Sequence, residues 1–359
     1  VSCMILISIT IKRRTNLPVV MKYIYLFVVI YIIATVFNYP DQLLGAISES
    51  ARLLIVPIYM MILNDLKKIR NFLIKLRKCF LVLLGADIFV GLLQIVGISI
   101  FENKEVTFLG LDNYAAFIIV PVFTIVFYTS YICKGHIRLI VVVLYLLALS
   151  IKIMTDSLTA IMALVLFGII VFLGFHWNFM RKVITPKKIL IGVVFLLILI
   201  VGFEIQNYFE PIFNYFGKDV TLSYRTVIWN KVIASLPDAL LVGYGKTNAD
   251  EFRTIVGFSL IYDVEANHPH SFYLAILFST GIIGTIVFIK ILFESFKKLY
   301  YSTSKRANYI LTSGLISFFV LAFADDYIML PFFYILISVV TFFDFNLSNK
   351  ICNQNKFYI

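Results

Sequence analysis

Residues 267–284 read NHPHSFYLAILFSTGIIG and join the one long polar segment of the chain to the apolar helix that follows it. The polar segment spans residues 204–270, and the rest of the chain consists mainly of apolar runs separated by short basic clusters. Hydrophobic residues make up 61% of the 359 residues, and charged residues only 14%. Such a chain has too little polar surface to cover a soluble fold. The sequence therefore predicts an integral membrane protein with its water-dependent chemistry in residues 204–270.

Apolar runs of about 15 to 21 residues, the length of a membrane-spanning helix, recur along the chain. Ten complete spans are predicted, near 23–39, 43–63, 79–100, 114–133, 139–154, 158–175, 189–203, 271–289, 309–324 and 327–343, with a shorter run at 1–11. A cleaved signal peptide is not expected there, because no basic segment precedes the shorter run. The predicted fold is an all-α polytopic bundle of about 10–12 transmembrane helices with one large extracytoplasmic loop.

The basic residues predict how this bundle is oriented. Most of the 31 Lys and Arg residues lie in clusters at 12–22, 67–78, 134–138, 181–188, 290–306 and 350–356. These clusters alternate with neutral or acidic loops, as expected when the basic loops face the cytoplasm. The net charge of +11 is then a topological signal, and no nucleic acid partner is predicted.

The chain is accordingly divided into four parts. They are an N-terminal bundle at 1–203, the extracytoplasmic loop at 204–270, further spans at 271–343 and a cytoplasmic tail at 344–359. The linker at 64–78 alternates apolar and basic residues at helical spacing, which predicts a basic amphipathic helix lying on the inner leaflet.

Ionisable side chains inside predicted spans are costly, so they are candidates for function. Glu49 and Arg52 lie three residues apart and are expected to neutralise each other within one helix. Lys152 and Asp156, four residues apart, form a second possible pair. Asp87 has no partner that the sequence reveals.

Within the polar segment, Ser223 is a candidate N-cap for a helix that runs to about residue 236. Arg225 and Trp229 then share one face of this helix, where the indole could flank a guanidinium or a sugar ring. The residues at 243–245, Gly-Tyr-Gly, indicate a turn, because they lack the further glycine and the preceding strand of a nucleotide-binding loop.

The strongest local signal is the sequence Asn267-His268-Pro269-His270 before a charge-free helix. Pro269 suits the first helical position, which makes Asn267 or His268 the cap and places His270 in the first turn. The positive end of the helix dipole disfavours an imidazolium there. His270 is therefore expected to be neutral and able to accept a proton from a hydroxyl nucleophile.

Two other interpretations of the histidines remain open. They could bind a metal together with Asp263 and Glu265, but zinc requires three or four convergent ligands and this spacing matches no zinc motif, so no metal is predicted. Alternatively, His268 and His270 could only anchor a helix end at the membrane interface.

A resemblance to a known family rests on the order Arg225, Trp229, Gly243-x-Gly245, His268-Pro269-His270, Leu274 and Gly281-Ile-Ile-Gly284. Over about residues 220–285 the chain resembles the O-antigen ligase/polymerase family of bacterial envelope glycosyltransferases. Two positions depart from the family pattern. Ser271 stands where asparagine is frequent, and Leu158 stands where an arginine is frequent, so Lys152 and Arg52 are the candidate substitutes for that arginine.

The resemblance implies a GT-C-like, metal-independent glycosyltransferase without a cofactor, acting at the outer face of the bacterial cytoplasmic membrane. Its donor and acceptor would be undecaprenyl-diphosphate-linked oligosaccharides within the lipid bilayer, with flippase and chain-length regulator proteins as candidate partners. The implied catalytic residues are His270, as base or orienter of the attacking hydroxyl, and Arg225, at the leaving diphosphate. The implied substrate-binding residues are Arg253, Trp229, His268, Tyr224, Lys152 and Arg52.

Within this family, the interpretation we favour is a repeat-unit polymerase (Wzy-type) for O-antigen or capsule, because such polymerases are more numerous and varied. The alternative is the ligase, which delivers the same donor to a lipid A-core acceptor. A transporter or flippase is the second alternative. A transporter would be expected to have discontinuous helices and ionisable groups near the midplane of the membrane, whereas polar residues here concentrate in one outer loop.

Overall fold

The structure, a computed structural model, describes residues 17–98, 100–101, 106–155, 157–177, 225–257, 267–301, 305–324 and 329–342, with isolated residues between 185 and 198. Over these residues the chain is almost entirely helical. The helices are α1 (Val19–Asn38), α2 (Leu43–Asp65), α3 (Ile69–Ile95), α4 (Asp112–Lys134), α5 (Leu139–Met154), α6 (Leu158–His176), α7 (Arg225–Ser235), α8 (Ala249–Val256), α9 (Phe272–Tyr301), α10 (Lys305–Ala324) and α11 (Pro331–Phe342). Two-residue strands β1 (Val106–Thr107) and β2 (Gly110–Leu111) form an antiparallel hairpin before α4.

Seven of the described helices are long and apolar enough to cross a membrane, and α5 and α11 are shorter apolar helices beside them. The predicted all-α polytopic membrane fold is thereby confirmed. The predicted run at 1–11 and the tail at 344–359 lie outside the described residues, and the span at 189–203 lies largely outside them. The division into four parts and the orientation in the membrane stay predictions.

The bundle is held together by broad apolar contacts. Helix α9 packs against α1, α10 packs against α6 and α4, and α11 packs against α2 and α4. Helix α4 is the most deeply buried of the spans, and its Phe117 and Phe123 are almost fully buried. Because lipid tails are as apolar as these side chains, close packing and hydrogen bonds stabilise the bundle more than the hydrophobic effect does.

The predicted amphipathic helix at 64–78 is wrong as a separate element. Helix α2 ends at Asp65, a turn follows, and residues 69–78 are the first turns of α3, which continues as one helix to Ile95. Ile69 and Leu73 are buried and stand in register with Phe80 and Leu84 further along the same helix. The apolar stripe thus passes without interruption from the basic segment into the span, and no residue ends the helix between them.

Buried Asp87 of α3 has a partner that the sequence did not reveal. Its Oδ1 accepts a hydrogen bond from the backbone N–H of Leu109, in the β1–β2 hairpin, at 3.1 Å. A buried carboxylate needs such donors to offset its lost hydration. Asp87 therefore fixes the hairpin that leads into α4.

Helix α9 is not one straight span, as predicted for 271–289, but two helical arms joined at Gly281. Gly281 has φ 60° and ψ −166°, a conformation that only glycine adopts readily. The first arm covers residues 272–280 and the second covers 282–301. The second arm also carries the helix well beyond the predicted end at residue 289.

The two arms of α9 fold back against each other. The rings of Phe272 and Phe288 lie 5.5 Å apart, although sixteen residues of straight helix would separate them by about 24 Å. Both rings also contact Phe333 of α11, at 5.9 Å each. The start of the first arm therefore lies beside the second arm about two turns past the bend, roughly 10 Å from it along that arm.

The bend in α9 is closed by the segment 240–245, which pairs with it through the backbone. Tyr244 and Gly245 donate their N–H groups to the carbonyls of Phe278 and Ser279 at 2.8 and 3.0 Å. In return the carbonyls of residues 240 and 241 accept from Ile282 and Ile283 at 2.9 and 3.2 Å. The polar groups that the break exposes are thus satisfied, as required for irregular backbone within a membrane protein. We call residues 240–245 with the bend the backbone seam.

Candidate functional site

A cavity of about 410 Å³ opens at the end of the bundle where α1 ends and α2 begins. Its walls come from α1, α2, α4, α8, α9 and α11, together with residues 245–247 and 267–269 of the polar segment. The polar lining residues are Tyr31, Glu49, Arg52, Tyr114, Lys246, Thr247, Asn267, His268 and Ser279, and the apolar ones include Phe252, Phe278, Met329 and Leu330. A mixed cavity of this size is typical of a small-ligand site.

The backbone seam places Lys246 in this cavity. Gly243 and Gly245, with φ 79° and 78°, confirm the turn predicted at 243–245. A Cβ at Gly243 would lie 2.5 Å from the nitrogen of Gly281, and one at Gly245 would lie 2.5 Å from the Cα of Thr35. Both glycines are therefore required by close approach of the backbone. The next residue, Lys246, donates its backbone N–H to Thr35 Oγ1 at 2.9 Å.

Lys246 forms an ion pair with Glu49 across the cavity. Its Nζ contacts Glu49 Oε1, and the Tyr31 hydroxyl donates to Glu49 Oε2 at 2.7 Å. The predicted pairing of Glu49 with Arg52 within α2 is wrong, because a lysine 197 positions away supplies the counter-ion instead. Arg52 forms no ion pair or hydrogen bond with another residue of the described part of the chain, and it lines the cavity from an exposed position.

His268 lines the cavity, and the ring of His270 packs against the ring of His268. The two imidazole rings are 3.8 Å apart, and the backbone N–H of His270 lies 3.4 Å from His268 Nδ1, which accepts its hydrogen bond. When Nδ1 accepts, a neutral ring carries its proton on Nε2 and presents a donor there. His268 is thus suited to bind an oxygen atom of a substrate.

The predicted position of His270 in the first turn of the helix is wrong. Helix α9 begins at Phe272, and Ser271 provides the first carbonyl acceptor, to Ala275 N at 2.8 Å. His270 itself has φ 50°, in the left-handed region. A non-glycine residue in this region is strained and occurs mainly where surrounding contacts hold it. The left-handed conformation turns the chain at His270 and separates both histidines from the helix.

Residues 140–289 of the chain match the model of the O-antigen ligase family. This segment belongs to that family. It runs from α5 into the second arm of α9 and includes Lys246, His268, His270 and the bend, so the resemblance read from the sequence is confirmed. Searches of curated proteins and of solved structures found no match.

The O-antigen ligase family consists of glycosyl-transfer enzymes and includes both ligases and polymerases. In the present structure its segment supplies only one side of the cavity. The other side comes from α1, α2, α4 and α11, outside the matched residues, and it carries Tyr31, Glu49 and Arg52. The site is therefore completed by tertiary contacts with the N-terminal and C-terminal helices.

Arg253 supports the histidine segment from α8. One nitrogen of its guanidinium donates to Asn267 Oδ1 at 2.9 Å, and another lies 3.6 Å from the exposed Asp250 carboxylate. Helix α8 is itself fixed by a capping box, in which Asn248 and Glu251 satisfy each other's backbone N–H groups. Glu251 also accepts from Gln42 at 3.0 Å, which links α8 to the start of α2.

Trp229 is a packed residue of the family segment. Its side chain is 2% exposed and lies in a cluster with Ile228, Phe252 and Phe278, while its indole N–H donates to the carbonyl of His270 at 3.4 Å. These contacts leave little of the indole exposed in the structure. Trp229 supports the histidine segment through its hydrogen bond to His270, and its predicted contact with substrate stays untested.

The remaining predicted site residues lie at different places. Arg225 is the first residue of α7, one turn before Trp229, and is partly exposed. Lys152 is only 1% exposed on α5 and is not among the residues that line the cavity. Tyr224 lies outside the described residues. Of the six residues predicted to bind substrate, Arg52 and His268 reach the cavity wall.

The described residues contain no group of three His, Cys, Asp or Glu side chains placed to hold a metal ion. The two acids considered as further ligands, Asp263 and Glu265, lie outside the described residues. A metal-independent reaction therefore stays a prediction.

Sequence reasoning missed Lys246 and gave Glu49 the wrong partner. No local pattern marks either residue, because the contact joins α2 to a loop far along the chain. One signal was available. Lys246 directly follows the Gly243-Tyr244-Gly245 turn. Two glycines that permit close approach of the backbone also fix the position of the side chain that comes next.

Proposed function

We propose that the protein joins undecaprenyl-diphosphate-linked oligosaccharide repeat units into an O-antigen or capsule polysaccharide at the outer face of the bacterial cytoplasmic membrane. The observation that carries this proposal is the cavity, which brings His268 of the family segment together with the Arg52 cation and the Glu49–Lys246 ion pair. Cations and hydrogen-bond donors suit a glycosyl diphosphate, whose negative charge grows as the sugar leaves.

The position of the cavity supports an outward-facing site. It lies where α1 ends and α2 begins, whereas Lys67 and Lys68 lie at the opposite end of α2. Lys134 at the end of α4, and Lys297 and Lys298 near the end of α9, share that opposite end. Basic residues favour the cytoplasmic side, so the cavity is expected to face the exterior or periplasm.

The proposed reaction is a nucleophilic substitution and needs no oxidant or reductant. A hydroxyl of the acceptor sugar attacks the anomeric carbon of the donor, a new glycosidic bond forms, and the bond to the diphosphate breaks. The hydroxyl proton passes to a base, for which His270 is the candidate, and the diphosphate leaves as an anion bound by arginine. Arg225 and Arg253 lie on the two helices, α7 and α8, that support the histidine segment.

The discontinuous helix α9 is the feature that we expected of a transporter. In transporters such a break exposes helix ends that bind the substrate. Here the groups at the break are hydrogen-bonded to residues 240–245, so they are occupied by the protein itself. The break supports the loop that carries Lys246, and transport is not favoured.

The proposal is tested with purified protein and its own lipid-linked repeat units, extracted from cells in which the gene is deleted. We expect a ladder of longer lipid-linked products, formed in excess EDTA and without a nucleotide sugar. Addition of a lipid A-core acceptor separates the two enzymes of the family. Transfer to that acceptor without a ladder would identify a ligase, and absence of either product would overturn the proposal.

Orientation is tested by labelling in a cysteine-free background. A cysteine at Asp250, whose side chain is 90% exposed on α8, should react with a membrane-impermeant thiol reagent in intact or outer-permeabilised cells. A cysteine at the exposed Lys75 of α3 is the matched control and should react only after the inner membrane is opened. The reverse pattern would place the cavity on the cytoplasmic side.

A further inference from the structure

Among the described residues that line the cavity, Glu49 is the one acidic side chain. Lys246 contacts one of its oxygens and the Tyr31 hydroxyl donates to the other, yet 22% of the Glu49 side chain remains exposed. A carboxylate has two oxygens with about four acceptor positions, and these two partners occupy only part of them. Glu49 is therefore held in a fixed position with acceptor capacity left toward the cavity.

An acid is unexpected in a site for a diphosphate, because like charges repel. Lys246 neutralises Glu49, and this leaves Arg52 as the cation of α2 that faces the cavity. The wall thus has two chemically different parts. The Glu49–Lys246 pair suits a neutral, hydroxylated group, whereas Arg52 suits an anion.

The two parts are spaced along one helix. Glu49 and Arg52 stand three residues apart on α2, so their Cβ atoms are neighbours about 5–6 Å apart. The aliphatic part of Lys246 lies over Gly45, where a Cβ would approach Lys246 Cδ to 3.0 Å, which fixes the pair on the helix surface.

We propose that the Glu49 carboxylate, held by Lys246 and Tyr31, accepts a hydrogen bond from a hydroxyl of the sugar attached to the diphosphate, whose phosphate faces Arg52. This assignment rests on the proposed function and adds the group that recognises the sugar. Tyr31 and Lys246 are positioning residues, because they act on the substrate through Glu49. The carboxylate distinguishes a glycosylated lipid diphosphate from the bare lipid diphosphate that the reaction releases.

Binding of two probes to the purified protein tests the proposal. One probe is the lipid-linked repeat unit extracted from the deletion strain, and the other is undecaprenyl diphosphate without a sugar. Glu49→Gln keeps the shape of the side chain and removes its charge. We expect it to weaken binding of the repeat unit about ten- to a hundredfold while changing binding of undecaprenyl diphosphate less than about twofold. Arg52→Gln should weaken binding of both probes.

Exchanging the two charged residues distinguishes sugar recognition by Glu49 from a purely structural role, in which the ion pair is only a clamp that joins α2 to the loop. Glu49→Lys combined with Lys246→Glu restores an ion pair but moves the carboxylate to the loop. We expect thermal stability to recover and binding of the repeat unit to remain weak. Recovery of binding in the exchanged protein, or equal loss of both probes in Glu49→Gln, would show that the pair is only a clamp.

Two further measurements keep the test decisive. If Glu49→Gln does not fold, Glu49→Asp retains the charge and withdraws the carboxylate by one methylene, and it should likewise weaken binding of the repeat unit alone. Wild-type protein must bind the repeat unit. Its failure to do so would overturn the proposed function itself, whereas normal binding with equal effects on both probes overturns only the role of Glu49.

Discussion

The backbone seam and the cavity lie side by side but are built in different ways. In the seam, residues 240–245 and the bend of α9 join through four backbone hydrogen bonds, and glycines allow the close approach. In the cavity, contact is made by side chains, among them the Glu49–Lys246 pair, and Arg52 and His268 remain accessible. The seam therefore fixes shape, and the cavity provides chemistry. Substitutions that block the close approach of the backbone in the seam should reduce the amount of folded protein, whereas substitutions of cavity side chains should reduce activity.

The largest effect is expected for Gly281→Ala. A Cβ there would lie 2.6 Å from the nitrogen of Val242, and the positive φ adds strain, so we expect a loss of about 4 kcal/mol or more and little folded protein. Gly257→Ala is the matched control, because Gly257 has φ 62° but nothing within 4 Å of a new Cβ. It should cost about 1 kcal/mol. Size-exclusion profiles and thermal unfolding in detergent measure both, and equal stabilities would contradict the role of the seam.

His270→Asn should abolish most activity without loss of folded protein. Asparagine tolerates the left-handed conformation at this position but cannot serve as a base. Loss of a general base typically lowers the rate about 10²–10⁴-fold. Polymer length in cells with wild-type protein levels is the measurement, and the exposed His136 provides the control substitution. Full-length polymer from His270→Asn would exclude His270 as the base.

Arg225→Lys is expected to be the next most severe change. Lysine keeps the charge but loses the planar pair of donors that matches a diphosphate. Loss of such stabilisation typically lowers the rate about 10²–10³-fold. Arg138→Lys, at an exposed position between α4 and α5, should leave polymer length unchanged. If both variants retain full activity, α7 does not contribute to the leaving-group site.

Tyr244→Phe should have the smallest effect. The Tyr244 hydroxyl donates to the carbonyl of Ser235 at 2.7 Å, and burial raises the pKa of Tyr244, so the donor stays protonated at physiological pH. Removing one neutral hydrogen bond should lower the free energy of unfolding by about 1 kcal/mol and leave polymer length unchanged. Loss of polymer at unchanged stability would show that the seam takes part in the chemistry.

The sequence by itself determined the class of the protein and the location of its functional segment. Long apolar runs specify membrane helices because each span must satisfy its own backbone hydrogen bonds within lipid. The order of Arg225, the paired glycines and the two histidines was sufficient to identify the family over about 220–285, within the residues that the family match covers. These features are local, so they can be recognised within a single segment of the sequence.

Only the tertiary structure decided how the functional segment becomes a site. The bend at Gly281 could not be read from the sequence, because the same apolar residues serve a straight or a broken helix. Its stability depends on hydrogen bonds from residues 240–245. The pairing of Glu49 with Lys246 was equally hidden, since Arg52 lies one turn away and only the folded chain brings Lys246 closer. Charge and backbone pairing act through space, and the nearest partner in space here was distant in sequence.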